Sequence, residues 1–335
     1  MIYYRVITLL FLSLSVSCSS VSSYKIINKE GFEEGQEIKE QSKFLVSSMA
    51  NASRKLHDIA WPIMISNLDS CQNSKINAFG LMIAHLEDIP SSLAPSFYAA
   101  SPINPLINIK ADLPMIVSVA KDSPADRAKI IEGDLIISIN NSIVSYKNYK
   151  RLLDDAAQKG SLKIRIKRLE EEIIYELESE LICGYPVQAM ISPIPNAYAD
   201  GSKIYITIAT LDFVKDDQEI AFLIAHELAH NIHHYKGEAL YESQGNPLAI
   251  EEKPSLQKIT DLLIFQTEEK ETEADLYGVE FAIKAGIAQD KVANYFRRLT
   301  IYMPQLMKNS FFRMHPGNAK RVADIERKLK ELNSN

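Results

Sequence analysis

Two histidines four residues apart, with a glutamate beside the first, stand in the run His226-Glu227-Leu228-Ala229-His230, directly after the apolar stretch Ile220–Ala225. On a helix, side chains at that spacing share a face, with Cβ atoms about 5–6 Å apart. Two imidazoles so placed can hold one Zn²⁺, and Glu227 is positioned to act as general base on a water at that ion. The chemistry this predicts is metal-assisted hydrolysis.

A third ligand has to be chosen among several candidates. Five of the seven histidines lie between 226 and 315. His234 continues the stripe, but eight residues carry it about 12 Å along the axis from His226, too far for both to meet one ion; it reads as packing or solvent-facing. The arrangement with a glycine three residues and a histidine six residues after the second ligand is excluded, because His233 and Lys236 occupy those positions. A carboxylate from a later helix remains. In Glu268–Asp275, Glu271 and Asp275 are four apart and share a face, and the small Ala274 and Gly278 permit close approach to the metal helix. Glu271 is then placed to reach the ion and Asp275 to orient a ligand imidazole. Glu268, Glu269 and Glu273 read as a solvated charged face.

The elements that must position these groups are legible in outline. The chain has 335 residues, 46% hydrophobic and 24% charged, with net charge −6. That length allows two or three domains, and the acidic balance argues against a nucleic-acid partner. Arg5 and the apolar run Val6–Val16, ending at Ser17-Cys18, resemble a secretory signal over residues 1–17. The small residues before Cys18 resemble a bacterial lipoprotein signal, which makes Cys18 a lipidation site and a lipid anchor the only membrane attachment; an uncleaved anchor is the other reading. Export implies an envelope or periplasmic location. If Cys18 carries lipid, Cys71 and Cys183 remain, either as a disulfide or as two small buried thiols.

Residues 18–110 read as a tether and a helical region. Phe44, Leu45, Val46, Met49, Leu56, Ile59 and Ala60 recur at helical intervals, and the Pro-bearing stretch 89–105 reads as a loop. Residues 111–182 form a second unit, with a strand at Met115–Val119 and a tight turn at Gly133-Asp134. A helix is expected near 146–157, and strands at 162–168 and 173–177. The string Ser123-Pro124-Ala125 through Gly133-Asp134-Leu135-Ile136 to Ile139-Asn140 resembles the bacterial PDZ domain, in which a peptide adds as a strand at a sheet edge. Asp112–Met115 lacks the glycines that usually bind a terminal carboxylate, which leaves C-terminal recognition open. Such a unit can steer substrate, or can simply pack on its neighbour. Residues 183–335 carry a strand at 203–208 and helices at 217–235, 255–265, 268–284, 289–302 and 319–332, and residues 238–254 read as a lid or a surface loop.

Four motifs in order, over about 140 residues, resemble the zinc metallopeptidases that include HtpX, the CAAX prenyl endopeptidase and the periplasmic BepA-type proteases. They are Asn196-Ala197-Tyr198-Ala199 with the strand Ile204, Tyr205, Ile206, Thr207; the His226–His230 run; Glu271–Asp275; and His315-Pro316 with Arg321. The resemblance implies an α+β multidomain protein: a mainly helical zincin-type domain with a small edge-strand sheet, behind a PDZ-like unit and a short helical region. It implies one zinc held by His226, His230 and Glu271, with Glu227 as base, Asp275 orienting a ligand, His315 steadying the oxyanion and Arg321 supporting that segment. It also implies that Ile204–Thr207 is the edge against which a polypeptide substrate lies. Cleavage of unfolded or misassembled envelope proteins follows from it; an adaptor or chaperone with a latent or structural zinc site is the competing reading.

Overall fold

The computed structural model describes residues 32–72, 74–103, 112–235, 248, 250, 267–302 and 319–334. Two compact units result, Met1–Ile38 and Lys39–Asn335, and every contact given below lies within the second. The signal segment, Cys18, most of 238–254, the helix expected at 255–265 and His315 lie outside the described residues.

A 35-residue helix, α1 (Phe32–Ser66), opens the described chain. Val46, Met49, Leu56 and Ala60 are buried along it, whereas Phe44, expected in the same stripe, is 75% exposed. Strand β1 (Lys75–Ala78) follows, then β2 (Leu81–Ala84), and a short 3₁₀ turn at Ala94–Ala100 lies within the segment expected to be loop.

The PDZ-like sheet contains β3 (Met115–Val119), β4 (Leu135–Ile139), β5 (Ser142–Ile143), β6 (Ser161–Arg168) and β7 (Glu171–Glu178), with the short α2 (Pro124–Arg127) and α3 (Tyr149–Lys159) between them. Its strand order is β2-β3-β4-β6-β7, so the edge beside β3 comes from upstream of residue 111. Gly80 precedes β2 at φ +75°. Sequence reading missed this edge because some thirty residues separate β2 from β3. Gly133 adopts φ +91° at the turn into β4, a region open to glycine without a Cβ penalty. Asp134 beside it is fully buried and gripped by Arg168 at 2.8 and 2.7 Å.

Residues of alternate parity face opposite sides of a strand, and this sheet buries both. Ile116, Ile136 and, after an irregularity between Ile136 and Ser138 that reverses the alternation, Ile139 pack with α3. Met115, Val117 and Leu135 join the core shared by α1 and the C-terminal helices. Arg54 Nε donates to the Val117 carbonyl at 2.8 Å, His57 Nδ1 lies 2.9 Å from Ser118 Oγ, and Lys121 N donates to Asp58 at 2.9 Å. These bonds tie the PDZ unit to α1 at Val117, Ser118 and Lys121. Strand β8 (Glu180–Cys183) pairs with β1, and a disulfide joins Cys71 to Cys183 with Cα atoms 5.5 Å apart.

The last region has a three-stranded sheet of β9 (Val187–Met190), β10 (Ala197–Ala199) and β11 (Ile204–Thr207), followed by α4 (Ile208–Phe213), α5 (Asp217–His233), α6 (Glu268–Lys284), α7 (Asn294–Tyr302) and α8 (Ala319–Ser334). Helix α5 is buried on all sides from Glu219 to Asn231, so its polar side chains must find partners inside the protein. Among the described residues no helix is long and apolar enough to cross a membrane.

Candidate metal centre

Asp216 caps α5 by accepting from Gln218 N at 3.0 Å, and Thr267 caps α6 by accepting from Lys270 N at 3.4 Å. The two helices touch where they have no bulk: Ala274 is fully buried, and a Cβ built on Gly278 would lie 3.0 Å from His226 Cα. At that separation the donor atoms converge. His226 Nε2 is 3.1 Å from His230 Nε2, and the two oxygens of the Glu271 carboxylate face them, Oε2 3.5 Å from His226 Nε2 and Oε1 3.4 Å from His230 Nε2. All three residues are buried.

The size of that triangle tests whether a metal fits. Zinc–nitrogen bonds of about 2.0–2.1 Å in a tetrahedron put neighbouring ligand atoms about 3.3–3.4 Å apart. The separation of the two nitrogens is close to that edge, and Glu271 brings an oxygen within 3.5 Å of each. Two imidazole nitrogens and one carboxylate form a donor set suited to zinc, and among the described residues no fourth ligand joins them.

The surrounding groups fix these side chains. Asp275 Oδ1 lies 3.0 Å from His226 Nδ1 and is itself forked by Arg321, with both bonds at 2.6 Å. Arg321 also reaches Glu271 at 3.2 Å, and its guanidinium lies 4.2 Å over the Phe296 ring. Arg321, expected to support the His315 segment, is placed on two acidic side chains of α6, Glu271 and Asp275. Burial opposes charge on His226, but Asp275 and Glu271 outweigh it and hold its pKa up at about 9 in the metal-free protein. Burial likewise raises the Asp275 carboxyl, yet the Arg321 guanidinium overrides it and holds the group below its ordinary value. Glu227, one residue from His226, is 1% exposed. The Tyr295 hydroxyl is pushed up by burial and, more weakly, by the charge of Glu227.

One expectation requires correction. Ile204–Thr207 is the central strand of its sheet, paired antiparallel to β10 and parallel to β9, so both of its hydrogen-bonding sides are filled. The edges are β9 and β10. Thr207 N donates to the Asn196 carbonyl at 3.0 Å and Asp200 N to the Lys203 carbonyl at 3.2 Å. Hydrogen-bonded pairs alternate along an antiparallel ladder, so Ala197 and Ala199 turn their N–H and C=O groups to the other side. Among the described residues no strand pairs there, and β10 packs on α5. His234, read as packing or solvent-facing, packs: its Nδ1 lies 2.8 Å from His230 Nδ1, and its Nε2 lies 3.0 Å from Glu273, which is half-exposed as expected of a solvated face. The four-residue step from His230 was the available signal, weighed only for direct ligation.

The hairpin is locked to these helices by groups that sequence reading passed over. Thr210 Oγ1 donates to the Asn196 carbonyl at 2.8 Å, and Asn231 on α5 accepts from Gly201 N at 2.7 Å and donates to the Lys203 carbonyl at 3.1 Å. The carboxylate of Glu219, 2% exposed, is bound by Arg298 of α7 at 2.6 and 3.1 Å.

A family model described as Peptidase family M48 matches residues 157–253 and 251–329, together just over half of the chain. A second, described as PDZ domain, matches residues 115–168. A solved structure, the crystal structure of the HtrA3 PDZ domain bound to a phage-derived ligand (FGRWV), is 18% identical over 33% of this chain and 91% of that chain, with a TM-score of 0.24. No curated protein matches the chain.

Proposed function

Because the chain belongs to peptidase family M48 and carries a PDZ domain, we propose that it is a zinc-dependent endopeptidase of unfolded or misassembled cell-envelope proteins. The observation that carries this reading is the convergence of His226, His230 and Glu271 donor groups within 3.5 Å of one another beside a buried glutamate. A structural zinc site would be closed by a fourth protein ligand, and the three-residue set among the described residues leaves a corner for chemistry.

Zinc, when bound, supplies Lewis acidity toward water and the scissile carbonyl. Glu227 takes the proton of the attacking water and delivers it to the leaving amine. Asp275, held by Arg321, accepts from Nδ1–H of His226 and keeps Nε2 of that ring turned inward. The substrate lies extended against β10, paired with the outward N–H and C=O groups of Ala197 and Ala199. Binding through backbone groups is largely indifferent to sequence, so pockets for alternate side chains set the cleavage preference. His315 is the proposed donor to the oxyanion.

The PDZ domain binds a peptide segment of the substrate. Its attachment to α1 along β3 holds it at a fixed place relative to the hydrolytic centre, which favours presentation by a rigid platform over capture by a mobile arm. Export with lipidation at Cys18 would set the enzyme on the membrane surface of a bacterial envelope, and the Cys71–Cys183 disulfide accords with an oxidising compartment.

The deciding experiment is proteolysis of casein and of a peptide library by the purified chain, with and without a chelator. Activity lost to the chelator and restored by Zn²⁺ is the expected outcome. Peptide binding without cleavage, unchanged by zinc, would instead make the protein an adaptor.

A further inference from the structure

Helix α6 carries three acidic residues at alternate positions, Glu271, Glu273 and Asp275. Glu271 contributes a donor atom to the triangle, and Asp275 holds the outer nitrogen of His226. The outer nitrogen of His230 has its own connection. His230 Nδ1 lies 2.8 Å from His234 Nδ1, and His234 Nε2 lies 3.0 Å from Glu273 Oε2. The His234 side chain is 4% exposed, so its ring nitrogens meet protein rather than bulk water, while Glu273 is 51% exposed.

Only one arrangement of protons fits this chain of contacts when His230 turns an Nε2 lone pair inward. His230 must then carry its proton on Nδ1 and donate it to His234 Nδ1. His234 Nδ1 must be the acceptor, so its own proton sits on Nε2 and is donated to the Glu273 carboxylate. Each ring has one donor and one acceptor nitrogen in the neutral form, and the chain uses both on His234.

We infer that His234 and Glu273 are positioning residues for His230: a histidine–carboxylate relay that fixes the tautomer and rotation of that ring, as Asp275 does directly for His226. The inference rests on the zinc reading of the site. The two supports differ in strength, since Asp275 is buried and forked by Arg321 whereas Glu273 stands at the surface. The relay also answers why a histidine too far along the axis to be a ligand still faces the site. His234 has a separate backbone role, its N–H donating to the His230 carbonyl at 2.9 Å where α5 ends; side-chain replacement leaves that bond available.

The test is the zinc dissociation constant of the full chain, measured by competition with a chromogenic chelator, together with the visible spectrum of the Co²⁺-loaded protein. Ligand-orienting partners of this kind typically account for about 10–100-fold in metal affinity. His234→Ala is expected to weaken zinc by that factor and to perturb the Co²⁺ bands. Glu273→Ala is expected to weaken it several-fold, and less at high salt, because its charge is half-exposed. The double variant should bind no more weakly than His234→Ala, since Glu273 acts only through that ring. His234→Asn, whose amide oxygen can accept from His230 Nδ1, should recover part of the loss. A wild-type affinity in His234→Ala, or an equal effect of Glu273→Ala with and without His234, overturns the relay while leaving the zinc site standing. Should His234→Ala not fold, an unchanged affinity and spectrum in Glu273→Ala overturns it alone. Failure of the wild-type chain to bind zinc overturns the metal reading itself, and the relay with it.

Discussion

A Cβ placed on Gly278 would lie 3.0 Å from His226 Cα and 3.2 Å from its backbone nitrogen. Both neighbours are backbone atoms, which cannot swing aside as a side-chain tip can. Gly278→Ala must therefore push α5 and α6 apart by a few tenths of an ångström, exactly where Glu271 has to reach the histidines. The expected cost is about 1–3 kcal/mol of stability, the usual range for overpacking a close contact, with weaker zinc binding. Denaturant unfolding and a zinc titration check this together, and wild-type values in both would show that the helices do not meet as described.

Glu227→Gln keeps the size of the side chain and removes the base. Zinc content by elemental analysis should match the wild type, while peptide cleavage falls to background. General-base removal typically costs about 10²–10⁴-fold. Retained proteolysis would assign the proton transfer to another group.

Arg321 neutralises two buried carboxylates at once, those of Asp275 and Glu271. Arg321→Leu leaves them uncompensated and should destabilise the metal-free protein by about 3–5 kcal/mol. Zinc should recover part of that loss, because a divalent cation restores the charge balance. Arg321→Lys keeps the charge but not the fork and is expected to fall between. A melting temperature unchanged in Arg321→Leu, with and without zinc, rejects this role.

The pH dependence follows from His226. Its folded pKa near 9 lies above the ordinary 6.5. Protonation therefore stabilises the metal-free fold fully below pH 6.5, and that contribution disappears as pH rises from 6.5 through 9. The shift is worth on the order of 3 kcal/mol. Zinc must displace the same proton, so its apparent affinity should climb with pH and level off above 9. Calorimetric titrations at pH 7.5 in buffers of different ionisation enthalpy should report proton release on zinc binding. Zinc binding with no proton release would remove His226 from the ligand set.

The Cys71–Cys183 bridge closes a long loop, with 112 residues of sequence separation, around the whole PDZ unit. Chain-entropy arguments give about 4–5 kcal/mol for a loop near that length. The double serine variant should unfold at correspondingly lower denaturant, and reductant should reproduce the effect in the wild type only. Equal midpoints for oxidised and reduced protein would show that the cross-link contributes nothing.

Much of the hydrolytic centre is readable along the chain because it is built from helix periodicity, which is local. His226 and His230 share a face by their four-residue spacing, Glu271 and Asp275 do the same, and the lack of bulk at Ala274 and Gly278 marks where two helices can close. The Gly133-Asp134 turn and the strands around it are legible for the same reason, since turn chemistry and strand alternation are written within a few residues.

Strand partners are a different matter. Nothing within Ile204–Thr207 distinguishes an edge from a centre; β9 and β10 fill both its sides only after the chain has turned back twice, and this passes the edge role to Ala197–Ala199. The PDZ sheet takes β2 from across a long insertion, and the bond between Cys71 and Cys183 depends on β1 meeting β8. His234 and Glu273 likewise become a relay only because α6 crosses the end of α5 at one height. Which groups can share a helix face is written in the chain, because covalent geometry fixes successive residues relative to one another. Which faces and edges meet emerges on folding, because those contacts depend on loop closure and packing across the whole chain.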